Sequence, residues 1–263
     1  MRGEYSEITE SPGQKATREQ LERLYQRYHF ASKYLSGGSV LEVACGSGLG
    51  LGYLALHASR VVGGDIDKKN LEAATLYYKG RENITVLEFD AHDLPFEDKS
   101  FDTVILFEAI YYLERPEQFV SEAHRVLKNG GHLIISTVNR SWRDFHPSKY
   151  SLTYYSVPEL SALLEKRFAK VQIYGAFEVK DVCTRAKVVS VIKRTASKMN
   201  VIPGSLRARE LLKRVFVGKL EPIPAEISDG MTSYREPIPI DDSCSTEKYK
   251  ILHAMTRKGS AGP

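Results

Sequence analysis

The residues Ala44-Cys45-Gly46-Ser47-Gly48 form a run of small side chains between a short apolar stretch and a segment with helical character. At a strand-to-helix turn, small residues let the backbone approach a ligand closely. The N-terminus of the helix beyond favours a negative group such as a carboxylate. Acidic residues stand at related places: Glu42 two residues before the turn, Asp65 about 20 residues on, Asp90 before Ala91, and Glu108 after Phe107. A carboxylate at the position of Asp65 can hold both hydroxyls of a ribose. Taken alone, the glycine turn could serve several nucleotides. A nicotinamide dinucleotide site would require G-x-G-x-x-G directly after the strand. Counting from Gly46, the sixth position is Leu51, so that spacing fails, and Gly50-Gly52-Ala55 begins too late.

These residues need a frame that brings them to one rim. Strands are expected at Ser39–Ala44, Arg60–Gly64, Ile84–Phe89, Phe101–Phe107, His132–Val138, Lys170–Phe177 and Lys248–Thr256. Between them, helical patterns span Lys15–Leu35, Leu49–Ala58, Asp67–Lys79, Glu117–Leu127 and Pro158–Arg167. Asp67 is placed to cap the third of these helices. Phe101–Phe107 is almost continuously apolar, as suits a strand buried on both faces of a parallel sheet. Alternating strands and helices predict an α/β, doubly wound, Rossmann-like fold. In such a sheet the carboxyl ends of the strands, where Glu42, Asp65, Asp90 and Glu108 fall, share one ligand-binding crevice.

The segments VLEVACGSG (40–48), VVGGDID (61–67), FDAHDLPFEDKSFD (89–102) and HRVLKNGGHLIIST (124–137) together resemble the class I S-adenosylmethionine-dependent methyltransferases, in the group acting on small molecules, quinones and lipids. The resemblance spans about residues 25–177. It implies a seven-stranded, mostly parallel sheet whose last strand is antiparallel. It also implies that Glu42 and the backbone at Ala44, Gly46 and Gly48 cradle the methionine part of the cofactor. Asp65 would bind the ribose and Ile66 pack on the adenine. Asp90 and Ala91 would meet the adenine edge with His92 nearby, and the backbone of Phe107 would face the methionine end. Ala44 departs from the family's E-x-G-x-G-x-G pattern. Cys45, Tyr28 and Tyr112 complete the candidate cofactor set; Cys45 also suits simple packing, and Tyr28, with His29, reads equally as a lid or as helix packing.

Methyl transfer from a sulfonium needs a nucleophile in line and water kept out. A hydroxyl acceptor also benefits from a general base. His146 is the first candidate, since imidazole titrates near neutrality. Asp144, in the same loop of residues 139–147, is the second, and Glu108, beside Tyr111 and Tyr112, could orient the acceptor. The combination of DFHPSKYS, YYSVPELSALLEKRF and a basic tail resembles bacterial methyltransferases of polysaccharide or glycolipid biosynthesis, which implies a sugar or glycolipid hydroxyl as acceptor.

The chain has 263 residues, 42% hydrophobic and 27% charged, with a formal net charge of +4. This is a globular composition, with no apolar run near the roughly 20 residues of a membrane span and no metal-type cysteine pair among Cys45, Cys183 and Cys244. A polar N-terminus and reduced thiols point to the cytoplasm. Four regions are expected: a tail and lid helix (1–36), the cofactor-binding core (37–177), a basic helical and proline-rich insertion (178–246), and a last strand with its tail (247–263). Residues 180–219 hold eleven Lys and Arg against Asp181 and Glu210. Such helices can lie on an anionic membrane, contact phosphates, or simply pack on the domain. Nucleic acid is disfavoured because no stacking-aromatic pattern accompanies the charges. An RNA or protein methyltransferase, or a cofactor-binding scaffold without catalysis, are the alternative readings. No Asn-Pro-Pro-Tyr-type amine motif follows the fourth strand.

Overall fold

A computed structural model describes residues 9–179, 219–241 and 245–259. The basic helices expected within residues 180–218 lie outside the described residues, as do Cys183 and Cys244. The chain opens with β1 (Lys15–Thr17) and α1 (Arg18–Ser32), then β2 (Gly37–Val43), α2 (Leu51–Ala55), β3 (Ala58–Asp65), α3 (Lys68–Tyr77) and β4 (Ile84–Glu88). β5 (Phe101–Phe107), α4 (Pro116–Val126), β6 (Leu127–Val138), α5 (Val157–Glu165) and β7 (Val171–Glu178) follow. β8 (Leu220–Pro222), β9 (Ile238–Pro239) and β10 (Tyr249–Arg257) complete it.

The main sheet runs β4-β3-β2-β5-β6-β10-β7-β9. β4, β3, β2, β5 and β6 are mutually parallel, and β10 inserts antiparallel between β6 and β7. This is the expected α/β doubly wound order with its antiparallel last strand. The sheet has eight strands rather than seven, because two residues of the proline-rich stretch add β9 to the outer edge of β7. Pro239 is tolerated there since an edge strand need not donate from every residue. The helix expected from Lys15 starts instead at Arg18. Lys15–Thr17 pair antiparallel with β8, a strand the sequence reading did not foresee.

Local chemistry sets the helix starts. Thr17 accepts from the Gln20 backbone N–H while the Gln20 side chain accepts from Thr17 N, a capping box that fixes where α1 begins. Asp67 caps α3 by accepting from Lys69 N. Glu159 accepts from both the backbone N–H and the hydroxyl of Ser156 ahead of α5. α2 is shorter than its pattern suggested, only five residues, with Gly50 as its N-cap.

The sheet is buried on both faces. One layer joins Leu41, Val43, Val104 and Leu106 to α4 and α5 through Phe119, Val120, Leu160 and Leu163. The other joins Val40, Val61, Ile105 and Phe107 to α1 and α2 through Leu24, Tyr28, Leu51 and Tyr53. Asp102, at the opposite end of the sheet from the acidic rim, accepts from Ser39 N and from Lys128 Nζ and so ties β2, β5 and β6 together. Among the described residues no helix is long and apolar enough to cross a membrane.

Gly50 is where α1 and the glycine turn meet most closely. A Cβ there would lie 1.8 Å from a Tyr28 ring carbon. Overpacking of that kind costs about 1–3 kcal/mol. Gly50→Ala is therefore expected to lower stability by about 2 kcal/mol in urea unfolding; a midpoint equal to that of the parent chain would show that Tyr28 can move without cost.

Candidate active site

The carboxyl ends of β2, β3, β4 and β5, closed over by α1, enclose a cavity of about 850 Å³. That is within the range of small-molecule and cofactor sites. Glu42, Ala44, Cys45, Gly46, Asp65, Ile66, Asp90, Ala91, His92, Phe107, Tyr112 and Tyr28 all line it, as does Glu108. The strand ends thus bring together residues from Glu42 to Glu108, 66 positions apart, as a parallel sheet allows.

At its floor lies Glu42, 1% exposed. Tyr28 donates its hydroxyl to Glu42 Oε1 at 2.5 Å. The other oxygen, Oε2, is buried with no hydrogen-bond partner. Burial pushes the Glu42 carboxyl up to about 7, with Tyr28 and Arg27 drawing it only partly back. Burial and the neighbouring Glu42 likewise raise the Tyr28 phenol, so it remains a donor. Tyr28 is 3% exposed and its ring meets Phe107 edge-on at 5.0 Å, so it is a wall of the cavity and not a lid. His29, the other lid candidate, instead faces Tyr53 and Asp229 and does not line the cavity.

The glycine turn is held by Asp65, whose Oδ2 accepts from Gly46 N at 2.9 Å and whose Oδ1 accepts from Asp67 N at 2.8 Å. Burial raises the Asp65 carboxyl and these two backbone donors oppose it. Ala44 sits at φ 56°, a left-handed conformation in which glycine costs less, so the departure noted in the sequence carries local strain. Gly48 does not line the cavity. Its Cβ position would meet Ala74, Leu51 and Tyr78, and its carbonyl accepts from Tyr78. It serves the packing of the turn on α3. Cys45 is buried in the wall, its thiol pushed well up by burial and by Glu42.

On the far rim, Asp90 Oδ1 accepts from His92 N and from the His92 ring at Nδ1, 2.6 Å away. His92 Nε2 accepts from Arg115 N, which places the ring proton on Nδ1. Ile66, 39% exposed, offers an apolar face beside them.

A further carboxylate of the cavity is Glu108, just beyond the end of β5 with φ 51°. Glu108 Oε2 accepts from the Tyr111 hydroxyl at 3.1 Å and Oε1 from Ser136 Oγ at 3.3 Å. Burial raises its carboxyl above the ordinary range, while Arg27 and Arg23 act in the other direction. Tyr111 stacks on Tyr154, which meets Phe145 edge-on. His146 and Asp144 do not reach this space. Neither lines the cavity, and His146 is exposed. Their loop is drawn towards β10, where Asn139 Nδ2 donates to the carbonyls of Thr246 and Tyr249, and Arg143 N to Glu247 O.

Arg23 and Arg27 of α1, together with Gln20 and Glu10, also line the cavity; the sequence reading passed over all four. A signal was available in the spacing, since positions 20, 23 and 27 recur at helical intervals beside Leu24 and Tyr28.

The unpartnered Glu42 oxygen, the Asp65 and Asp90 carboxylates, and the small-residue turn between them suit a cationic amino acid joined to a nucleoside. Known proteins agree. A family described as "Methyltransferase domain" matches residues 41–135. A phthiotriol/phenolphthiotriol dimycocerosates methyltransferase of Mycobacterium ulcerans is 37% identical over 121 residues, 43% of each chain. A probable S-adenosylmethionine-dependent methyltransferase of Mycolicibacterium smegmatis is 34% identical over 165 residues, 61% of this chain and 58% of the relative. A fatty-acid O-methyltransferase of the same organism is 38% identical over 116 residues, 41% of each. The chain thus spans about half the length of the curated relatives it matches. The crystal structure of a possible histamine N-methyltransferase of Thermotoga maritima superposes with a TM-score of 0.53 at 18% identity, covering 91% of this chain and 95% of that one, which shows a shared fold. Residues 41–135 thus match a methyltransferase domain, and they supply most of the strand ends that line the cavity.

Proposed function

We propose that the protein transfers a methyl group from S-adenosylmethionine to an oxygen of an amphiphilic, lipid-type acceptor. The observation that carries this reading is a single cavity lined by Glu42, Asp65 and Asp90 and by a further carboxylate, Glu108, just beyond the end of β5. Two of the relatives are named for lipid and fatty-acid substrates, which supports an acceptor of that kind. A sugar or glycolipid hydroxyl, expected from the sequence, belongs to the same oxygen-nucleophile class.

Glu42, Asp65 and the rim from Asp90 to His92 would hold the cofactor, which supplies an electrophilic methyl group on a sulfonium when bound. The chain's own part is to place the acceptor and exclude water. Glu108 is the candidate base. Its raised carboxyl and its contacts with Tyr111 and Ser136 hold it at the acceptor end, where it can take the proton of an incoming hydroxyl. The exposed position of His146 leaves that role to Glu108. The aromatic walls of Tyr111 and Tyr112 and the apolar Leu113 and Ile251 give a chain-like acceptor a surface to lie on.

Incubation with methyl-labelled S-adenosylmethionine and a panel of hydroxylated lipids, fatty acids, sugars and phenols tests the assignment. Label is expected in a lipid-type oxygen compound, and transfer confined to amines would overturn it. Glu108→Gln should reduce kcat by about 100-fold while leaving S-adenosylhomocysteine affinity in place, the size of a lost general base.

Because burial raises Glu42 in the folded chain from its ordinary 4.5 to about 7, the folded state keeps a proton that the unfolded state has released. Stability from this group is therefore greatest at low pH and falls as pH rises from about 4.5 to 7, by up to roughly 3 kcal/mol. An ammonium group beside Glu42 favours the ionised form, so S-adenosylhomocysteine, whose amino-acid part carries one, should bind more tightly as pH rises from 6 to 8. Calorimetry on Glu42→Gln is expected to show that pH dependence flattened, and an unchanged slope would remove Glu42 from the ligand's surroundings.

A further inference from the structure

α1 lines the cavity with Gln20, Arg23 and Arg27, a polar stripe on an otherwise apolar helix face. Arg27 is 8% exposed. Its Nη2 is engaged by the Glu10 carboxylate, and Nη2 of Arg23 by Glu19. In both residues Nε is buried and has no hydrogen-bond partner. Leaving such a donor unpaired is destabilising, and the chain does so twice on one helix face. Glu19 does not balance the site alone, since Lys250 Nζ donates to both its oxygens at 2.7 and 2.8 Å. One carboxylate there serves two cations.

Glu10 has a different character from the other members. It lies on the segment before β1, whose backbone crosses the glycine turn: Ser47 Oγ donates to Glu10 O at 2.8 Å, and Thr9 lies against Gly46. Its side chain keeps 34% of its surface exposed. It is a carboxylate from outside the sheet, reaching into the cavity to meet a buried guanidinium.

We propose that Arg23 and Arg27 form a carboxylate subsite for the acceptor, and that Glu10 is the chain's own occupant of that subsite, displaced when the acceptor enters. This rests on the methyltransferase reading above and narrows its substrate class. A guanidinium takes a carboxylate through Nε–H and an Nη–H together, the fork that both arginines leave half used. Glu108 lies within electrostatic reach of both. An acceptor that satisfies the arginines with an anion and Glu108 with a hydroxyl is a hydroxy acid, and Tyr111, Tyr112 and Ile251 beside them suit an apolar tail.

A matched pair of probes, 3-hydroxytetradecanoate and its methyl ester, isolates the carboxylate. Binding of each is measured by calorimetry with and without S-adenosylhomocysteine. The acid should bind at least about tenfold more tightly than the ester, the worth of one charge-assisted hydrogen bond. Arg23→Gln should erase most of that preference, weakening the acid far more than the ester. Glu10→Gln, on a partly exposed segment, should strengthen acid binding severalfold by removing the competitor, an effect that a structural ion pair would not produce. Equal affinities for acid and ester, or a Glu10→Gln variant that binds the acid no better, would overturn the proposal. So would an Arg27→Gln variant that loses S-adenosylhomocysteine in proportion to the acid, since the guanidinium would then serve the cofactor's own carboxylate. If S-adenosylhomocysteine fails to bind at all, the methyltransferase reading fails, and the acid–ester comparison made without it still decides the subsite.

Discussion

A carboxylate buried at the floor of the cavity, Glu42, is the constraint around which the site is arranged. An isolated ionised carboxylate in an apolar interior is prohibitively costly, so such a group acquires partners or keeps its proton. Glu42 does some of each. It takes a hydroxyl from Tyr28, it lies in the field of Arg27, and its carboxyl is shifted up to about 7. Each compensation places a demand on the fold. Tyr28 reaches Glu42 only because α1 lies across the strand ends and Gly50 leaves room for the ring. Arg27 can be buried only with a carboxylate beside it, which Glu10 provides. The unpartnered Glu42 oxygen is the part of the demand that the chain leaves unmet, and at that point a ligand's donor group gains the most.

The sheet makes this arrangement possible. Five parallel strands point their carboxyl ends the same way, so residues remote in sequence share one rim. α1 then has two duties. Its Leu24 and Tyr28 complete the core layer over β2 and β5, and its Arg23 and Arg27 turn the same helix into a wall of the cavity. A helix used in this way couples packing to recognition: the contacts that seat α1 on the sheet also set where its guanidiniums stand relative to Glu108.

What could be read from the sequence follows the range of the interactions involved. The glycine turn, Glu42, Asp65 and Asp90 are each set by local strand-to-helix geometry, and the fold puts them together at one cavity. The last strand was likewise legible from its alternation and the Asp67 cap from its chemistry, while the antiparallel direction of that strand came from the family resemblance. Readings that depended on tertiary docking fared differently. The loop with His146 and Asp144 leaves the sheet at the proper rim, yet Asn139 and Arg143 bind it to β10 and the residues before it, which turns His146 outward. β8 and β9 were invisible because Pro222 and Pro239 argue against strands unless an edge position is known in advance. The arginines of α1 were passed over, because their place at the cavity depends on the distant Glu10 as well as on Glu19 pairing with them.

Two non-glycine residues at the strand ends lining this cavity, Ala44 after β2 and Glu108 after β5, adopt left-handed backbone conformations. Each costs about 1–2 kcal/mol relative to an ordinary conformation. At Ala44 the strain keeps the turn open over Gly46, where the backbone faces the cavity. At Glu108 it does something glycine could not, because it carries a carboxylate across the end of β5 to meet Tyr111 and Ser136. Strain of this kind persists only where surrounding contacts over-determine the backbone. Here those contacts are the Glu108 N–H donated to Ser136 O and the two side-chain bonds. The fold therefore accepts strain at two backbone positions on the cavity rim, at the ends of the neighbouring strands β2 and β5. That is where a transferase needs rigidity, since a small error in the placement of a base or a methyl donor is expensive in rate.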